Sequence, residues 1–322
     1  MPSELSFAVT VAARRYEAED IVALDLVSAS GEALPAFSAG SHVDIEVAPG
    51  LIRQYSLCNN PRERDRYQVG VLLDPNSRGG SIALHQVAQG APLKISEPRN
   101  HFELHAGAER SLLFAGGIGV TPILCMAERL AAIGGDFRMH YATRNVARCA
   151  FRTRILESPL AERVSFHFDD ASTAQHLDLA VALGTPEPGT HVYVCGPSGF
   201  IAAVQKAADQ AGFGESQFHR EYFAADTKEM FSGGSAFLVK LASTGAVLTV
   251  DSDRTVLDVL REHGVTVPTS CEQGVCGACL TRVLEGVPEH RDMYLTPDEQ
   301  AAGDQFLPCC SRSKTPRLVI DL

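Results

Sequence analysis

The feature that most restricts what this chain can fold into is CEQGVCGACL, where Cys271, Cys276 and Cys279 stand as C-x4-C-x2-C, with Cys309 following after a long gap. Plant-type [2Fe–2S] clusters use that spacing: three thiolates come from one short loop and a fourth returns from a distant segment. A loop of this kind turns sharply. Gly274 and Gly277 permit backbone conformations that other residues resist, and their amides can point at sulfur, while the small Ala278 keeps the loop tight. A zinc site would pair two C-x2-C units or bring histidines at close spacing, and neither pattern occurs here. In LPCCSR the fourth ligand is open between Cys309 and Cys310.

The residues around the loop fit a small domain built to hold it. FLVKLASTGAVLTV, from Phe237 to Val250, reads as two strands about a glycine-containing turn. TVLDVLREHGV reads as a short amphipathic helix stopped by Gly264, and RLVIDL as a closing strand. Strand pair, helix, cysteine loop and closing strand form the β-grasp order of ferredoxins.

Four further cysteines, Cys58, Cys125, Cys149 and Cys195, are scattered singly through the chain. This usage fits a reducing compartment, and the cytoplasm is the expectation. The N-terminus alternates apolar and polar residues like a strand and lacks the pattern of a secretory leader. No apolar run approaches the roughly 20 residues a membrane span needs. A net charge of −11 without a Lys/Arg cluster excludes a general nucleic-acid binder.

Residues 111–220 alternate strand and helix, which implies a parallel sheet flanked by helices. The first strand ends in GGIGVTP. Gly116, Gly117 and Gly119 let the backbone approach a ligand, Pro122 suits a first helical turn, and a pyrophosphate fits the helix N-terminus with Thr121 beside it. A later strand ends in Cys195, Gly196 and Pro197, and ligands of open parallel sheets bind at such carboxyl ends. Arg144 ends the third strand; Asp169 and Asp170 end the fourth. An acidic pair near a ribose favours NADH over NADPH, and Arg144 pulls the other way.

The first hundred residues read as an all-β barrel of short alternating strands punctuated by Gly and Pro. Within RQYSLCN, strand alternation puts Arg53 and Tyr55 on one face and Gln54 and Ser56 on the other. An aromatic for an isoalloxazine, a hydroxyl for its reactive nitrogen and a guanidinium for phosphate suit a flavin. Arg78, Gly79, Gly80 and Ser81 then offer amides at the start of a helix, a second anion-binding arrangement.

Taken together and in order, these motifs resemble the phthalate dioxygenase reductase family, within the wider ferredoxin–NADP reductase-like group. The resemblance spans essentially the whole chain: RQYS and RGGS match its flavin motifs, GGIGVTP and CGP its nicotinamide motifs, and CEQGVCGACL with CCSR its cluster motifs. It implies FMN rather than FAD, NADH as donor and a Rieske-type non-haem iron oxygenase or O-demethylase as partner. It favours Cys309 as the fourth ligand, because the family's last cysteine stands one residue ahead of a Ser-Arg pair. It also puts Phe223 against the flavin and Glu221 beside the nicotinamide.

The expected architecture is therefore an antiparallel FMN-binding β-barrel domain (1–105), a parallel α/β NAD(H)-binding domain (106–226), a linker (227–236) and a β-grasp [2Fe–2S] ferredoxin domain (237–322). NADH yields its electrons as a hydride, whereas a [2Fe–2S] centre takes one at a time, so a flavin must stand between them. Hydride is expected to pass near Ser56, with Cys195 and Glu221 as catalytic neighbours, and single electrons to leave through Cys271, Cys276, Cys279 and Cys309. Plant-type clusters near about −400 mV reduce Rieske centres, whose range begins near about −150 mV. A diiron hydroxylase or a cytochrome is the alternative acceptor, and a bare ferredoxin-like carrier the alternative of another class. A monomer is the expectation.

Overall fold

The computed structural model describes residues 7–75, 77–172, 175–223 and 234–322; most of the expected linker, 227–236, lies outside them. The chain divides into two compact units, the first ending at Glu221 and the second beginning at Tyr222.

In the first unit, seven strands form an antiparallel sheet: β1 (Phe7–Ala18), β2 (Ile21–Ser28), β3 (Ser41–Ala48), β4 (Leu51–Ser56), β5 (Tyr67–Leu72), β6 (Pro92–Ile95) and β7 (Arg99–Asn100). Their order is β4-β3-β6-β1-β2-β5, with β7 on β3. An antiparallel bridge from Leu57 to Val69 joins the two ends of that path, so the sheet curls back on itself as a barrel must. Alternation explains the core: Val9, Val11, Val22, Leu24, Val43, Ile45, Val69 and Val71 all turn inward and are fully buried. Strand β2 is buried on both faces, which puts Asp25 inside with Arg15 at 2.8 Å and Arg66 at 2.9 Å. One helix, α1 (Gly80–Gln86), interrupts the strands.

A parallel sheet follows in the same unit, with β8 (Arg110–Gly116), β9 (Asp136–Thr143), β10 (Val164–Phe168), β11 (Thr190–Cys195) and β12 (Phe218–Glu221) in the order β10-β9-β8-β11-β12. Helices α2 (Val120–Ile133), α3 (Arg152–Leu156), α4 (Leu179–Leu183) and α5 (Ser198–Ala211) connect them. The near-continuous burial of β8 and β11 is what a parallel strand covered on both faces requires. The strand order reverses between β8 and β11, so their carboxyl ends border the crevice where such sheets take ligands.

The second unit is a mixed sheet of β13 (Phe237–Leu241), β14 (Val247–Val250), β15 (Thr281–Glu285), β17 (Gln305–Phe306) and β19 (Arg317–Ile320), ordered β14-β13-β19-β15-β17. A small ladder of β16 (Pro288–Glu289) and β18 (Arg312–Ser313) lies apart. Only β13 and β19 run parallel, and α6 (Val256–Glu262) packs on β14. Thr255 caps α6 by accepting from the Asp258 amide at 3.0 Å, and Gly264 ends the segment with φ +74°. The last helix, α7 (Pro297–Ala302), carries a capping box between Thr296 and Glu299. No helix among the described residues is long and apolar enough to cross a membrane.

Candidate functional site

Backbone crowding at the ends of β8 and β11 shows why glycines occupy that turn. A Cβ on Gly119 would fall on the Cys195 carbonyl and 2.6 Å from the Gly196 nitrogen, and one on Gly116 would stand 2.8 Å from the Phe200 ring. The two strand ends are thus in mutual backbone contact, Cys195 pairing in register with Ala115. Gly117 takes φ +54° with nothing within 4 Å of its missing Cβ, leaving room beside the turn. Helix α2 starts directly after it and presents its first amides there. The Thr121 hydroxyl donates back to the Ile118 carbonyl at 3.1 Å, so it shapes the turn. Pro197 precedes α5. Exposed Arg144 follows β9, and its carbonyl accepts from the Asp170 amide at 3.1 Å, while the Asp169 amide reaches the Thr143 carbonyl at 3.1 Å. The structure therefore gathers Arg144, Asp169 and Asp170 at neighbouring carboxyl ends.

Strand β12, which the residue pattern did not announce, ends in Glu221 beside Cys195. From β4 the Ser56 hydroxyl donates to Glu221 Oε2 at 3.4 Å. Desolvation pushes the half-buried Glu221 carboxyl up to about 8, with the Ser56 bond opposing. The Cys195 thiol, fully buried and facing that carboxyl, is pushed well up and stays protonated. A hydroxyl, a thiol and a protonated carboxyl are thus grouped where the barrel meets the parallel sheet, 165 positions separating Ser56 from Glu221.

Along β4, Arg53 turns back over α1: a Cβ on Gly80 would stand 2.6 Å from Arg53 Cγ, so glycine makes room for the guanidinium stem. Gly79 takes φ +93° and swings the chain into the helix, and Ser81 Oγ accepts from the Asp74 amide at 3.1 Å. Arg78 precedes this turn. Tyr55 packs on the barrel core, and burial pushes its hydroxyl up to about 12. A guanidinium laid over the first amides of a helix, next to an aromatic ring, has the donors a flavin phosphate needs. Phe223 is half-buried and belongs to the second unit.

In the second unit the sulfurs converge as two pairs: Cys271 with Cys276, and Cys279 with Cys309, each pair hydrogen-bonded thiol to thiol. Two thiolates per iron is the arrangement a two-iron cluster requires, and among the described residues no group of three or more donors surrounds a single-ion site. Backbone amides face the sulfurs, with Gln273 N 3.3 Å from Cys271 Sγ and Cys271 N 3.5 Å from Cys276 Sγ. Gly274 and Gly277 adopt φ +73° and +72°; a Cβ on Gly277 would fall on the Tyr294 ring. Cys310 adjoins the Cys309 sulfur without joining the Cys279 pair: its thiol lies 3.7 Å from the Leu307 carbonyl and 2.7 Å from where a Gly274 Cβ would stand. Its bulk fills the space that glycine leaves.

Three anchoring groups around the cysteines carry no signal in the cysteine spacing. Glu272, a non-glycine residue at φ +53°, is held by Arg261 at 2.7 Å. Buried Asp292 accepts from the Leu295 amide at 2.8 Å and the Ser311 hydroxyl at 3.2 Å, and the next residue, Met293, donates its amide to the Gly274 carbonyl at 2.9 Å, tying the segment after Cys310 to the loop. Arg312 donates to the carbonyls of Arg254 at 2.8 Å and Asp251 at 3.0 Å.

Comparison with known proteins agrees with this anatomy. Residues 239–314 match the 2Fe-2S iron-sulfur cluster binding domain, and residues 94–218 the N-terminal domain of dimethylamine monooxygenase subunit DmmA-like proteins. The chain is 53% identical over 314 residues to a vanillate O-demethylase oxidoreductase of Pseudomonas putida, covering 97% of this chain and 98% of that protein. It is 40% identical to the reductase subunit of phthalate 4,5-dioxygenase from Pseudomonas putida, covering 97% and 95%. Among solved structures, phthalate dioxygenase reductase superposes with a TM-score of 0.81 at 36% identity, covering 98% of this chain and 97% of that one. An intact type IV self-sufficient cytochrome P450 monooxygenase gives 0.77 at 39%, the chain spanning 41% of it. With its antiparallel barrel, parallel sheet and iron–sulfur domain in this order, the chain belongs to the phthalate dioxygenase reductase family, the electron-transferring oxidoreductase components of oxygenase systems.

Proposed function

We propose that this chain is the NADH-dependent reductase of a Rieske-type oxygenase or O-demethylase system, acting as a cytoplasmic monomer. The observation that carries the proposal is the pairing, in one chain, of the Ser56–Cys195–Glu221 group in the first unit with two sulfur pairs in the second. FMN and a [2Fe–2S] cluster supply the conversion of a two-electron hydride donor into single electrons.

The residues divide the work of holding these groups. Arg53, Arg78 and the amides of Gly79 to Ser81 take the flavin phosphate, and Tyr55 and Ser56 the ring system. Gly116, Gly117, Gly119 and Thr121, with Gly196 and Pro197, form the floor for the NADH pyrophosphate and nicotinamide. Arg144, Asp169 and Asp170 stand where its adenosine end would be discriminated. Cys195 stays thiol and Glu221 stays largely protonated at neutral pH, so the nicotinamide meets a neutral, dry wall beside Ser56. Cys271, Cys276, Cys279 and Cys309 hold the cluster. In domain terms, residues 1–105, 106–226 and 237–322 carry flavin, NADH and cluster.

The likeness to vanillate O-demethylase oxidoreductases supports an oxygenase that demethylates an aryl ether as acceptor. The likeness to a self-sufficient P450 supports a haem monooxygenase as the second reading. Anaerobic titration with NADH, followed by absorbance and electron paramagnetic resonance, tests the core claim. Flavin bleaching with a rhombic signal from a reduced two-iron cluster is expected; bleaching without that signal would remove the cluster from the path. Turnover with a Rieske oxygenase but not a P450 domain separates the two acceptors.

A further inference from the structure

Arg154 belongs to none of the sequence motifs, yet its guanidinium bridges three segments. Nη1 donates to Gln68 Oε1 on β5 at 2.6 Å; Nη2 donates to Glu128 Oε1 on α2 at 2.6 Å and to the Cys58 carbonyl, two residues past Ser56, at 3.2 Å. Gln68 passes the connection on by donating to buried Asp25 at 2.7 Å.

The geometry repeats one turn-pair away. Residues 121 and 128 share a face of α2, being seven apart, and residues 68 and 70 share a face of β5. At the first end, the Thr121 methyl and the Phe151 ring press on Gly70, where a Cβ would stand 2.8 Å and 3.3 Å from them. At the other end, Arg154 joins Glu128 to Gln68. Helix α2 is therefore seated along β5 at two points, one a steric contact and the other a hydrogen-bonded fork. Its N-terminus is the glycine turn of the nucleotide site, and the strand end gripped at Cys58 is the one that bears Ser56. Burial pushes the Glu128 carboxyl up and Arg154 opposes it, so the pair is matched.

We infer that Arg154 is a positioning residue for hydride transfer, fixing the distance between the flavin strand end at Ser56 and the nucleotide turn at Gly116–Thr121. The inference rests on the proposed NADH–flavin reading. Hydride transfer is steep in distance, and a misplacement of about 1 Å costs up to about a hundredfold in rate. A two-point seat on the helix that carries one reactant and the strand that carries the other is where such precision is set. Lysine cannot replace it: one ammonium can neutralise Glu128 but cannot fork to Gln68 and Cys58 as well.

The test is Arg154→Lys in the full-length holoprotein, with Arg148→Ala as control. Arg148 also bridges barrel and parallel sheet, reaching Glu19 at 3.2 Å and Asp20 at 2.9 Å, but it does so away from Ser56. In stopped-flow reduction at saturating NADH, at a temperature where both variants remain folded, Arg154→Lys should slow flavin bleaching on the order of tenfold, with Arg148→Ala at the wild-type rate. Hydrogen exchange gives a readout independent of turnover: in Arg154→Lys, with or without flavin, the Cys58 amide and the amides of 117–121 should exchange faster. Wild-type bleaching matched by Arg154→Lys, or a slowing equal in both variants, overturns the inference. Absence of bleaching in the wild type would instead sink the functional reading itself.

Discussion

At the scale of single residues, Glu221 has the clearest titration. Its carboxyl is held at about 8, against 4.5 for an ordinary glutamate, chiefly by desolvation. The folded protein therefore keeps a proton that the unfolded chain releases, and stability falls as pH rises between those two values. Glu221→Gln should flatten the dependence of melting temperature on pH in that window and remove a fall in NADH-driven flavin reduction above about 8. A pH profile indistinguishable from wild type would refute the assignment. The cysteines give a second test. Cys309→Ser should abolish the cluster absorbance and iron content, whereas Cys310→Ala should keep both and cost roughly 1 kcal/mol for the space it empties. Cluster loss in Cys310→Ala alone would reverse the ligand choice. Spacing could not decide between adjacent cysteines; the pairing of sulfurs across the fold favours one. Glu221 has no local motif at all, and only the resemblance pointed to it, because its partner Ser56 comes from another sheet.

At the scale of elements, the pattern of alternation located most strands, and the two glycine-ended ones, β8 and β11, lie side by side in the parallel sheet. Strand β12 escaped because FHRE is short, half polar and covered on one side only by β11. The small strands β16 to β18 escaped for the same reason: two residues carry no period. What the pattern could not supply was why the turn after β8 needs its particular glycines. Gly119 has ordinary helical backbone angles, so a propensity argument predicts that alanine is harmless there. The structure predicts otherwise, since the new methyl would meet the β11 backbone. Gly119→Ala should lose about 1–3 kcal/mol in urea unfolding and raise KM for NADH while flavin content holds. Gly117→Ala meets no atoms and should show only the roughly 1–2 kcal/mol of left-handed strain. Equal effects on KM would mean that close packing of β8 on β11 is not what shapes the site.

At the scale of the whole molecule, charge is the feature sequence and structure share. The chain carries a net −11, and from Phe237 to Leu322 it has 12 Asp and Glu against 8 Lys and Arg. Docking on a basic partner face should therefore weaken with ionic strength. Turnover with the oxygenase should fall between low and about 0.5 M salt, while reduction of an uncharged artificial acceptor stays flat; parallel curves would remove electrostatic docking. The order of the three sheets was legible throughout, because each carries its own period and its own motif. The first compact unit closes at Glu221.

That boundary matters to anyone who would rebuild the molecule. The first unit's last residue is also the one whose carboxyl faces Ser56 and Cys195. A truncation at the compact edge would place a new chain-end carboxylate directly beside the Glu221 carboxyl, adding a negative charge where desolvation already opposes one. Grafting a different electron-exit module onto this flavoprotein therefore calls for a splice that leaves a peptide bond, not a chain end, after residue 221.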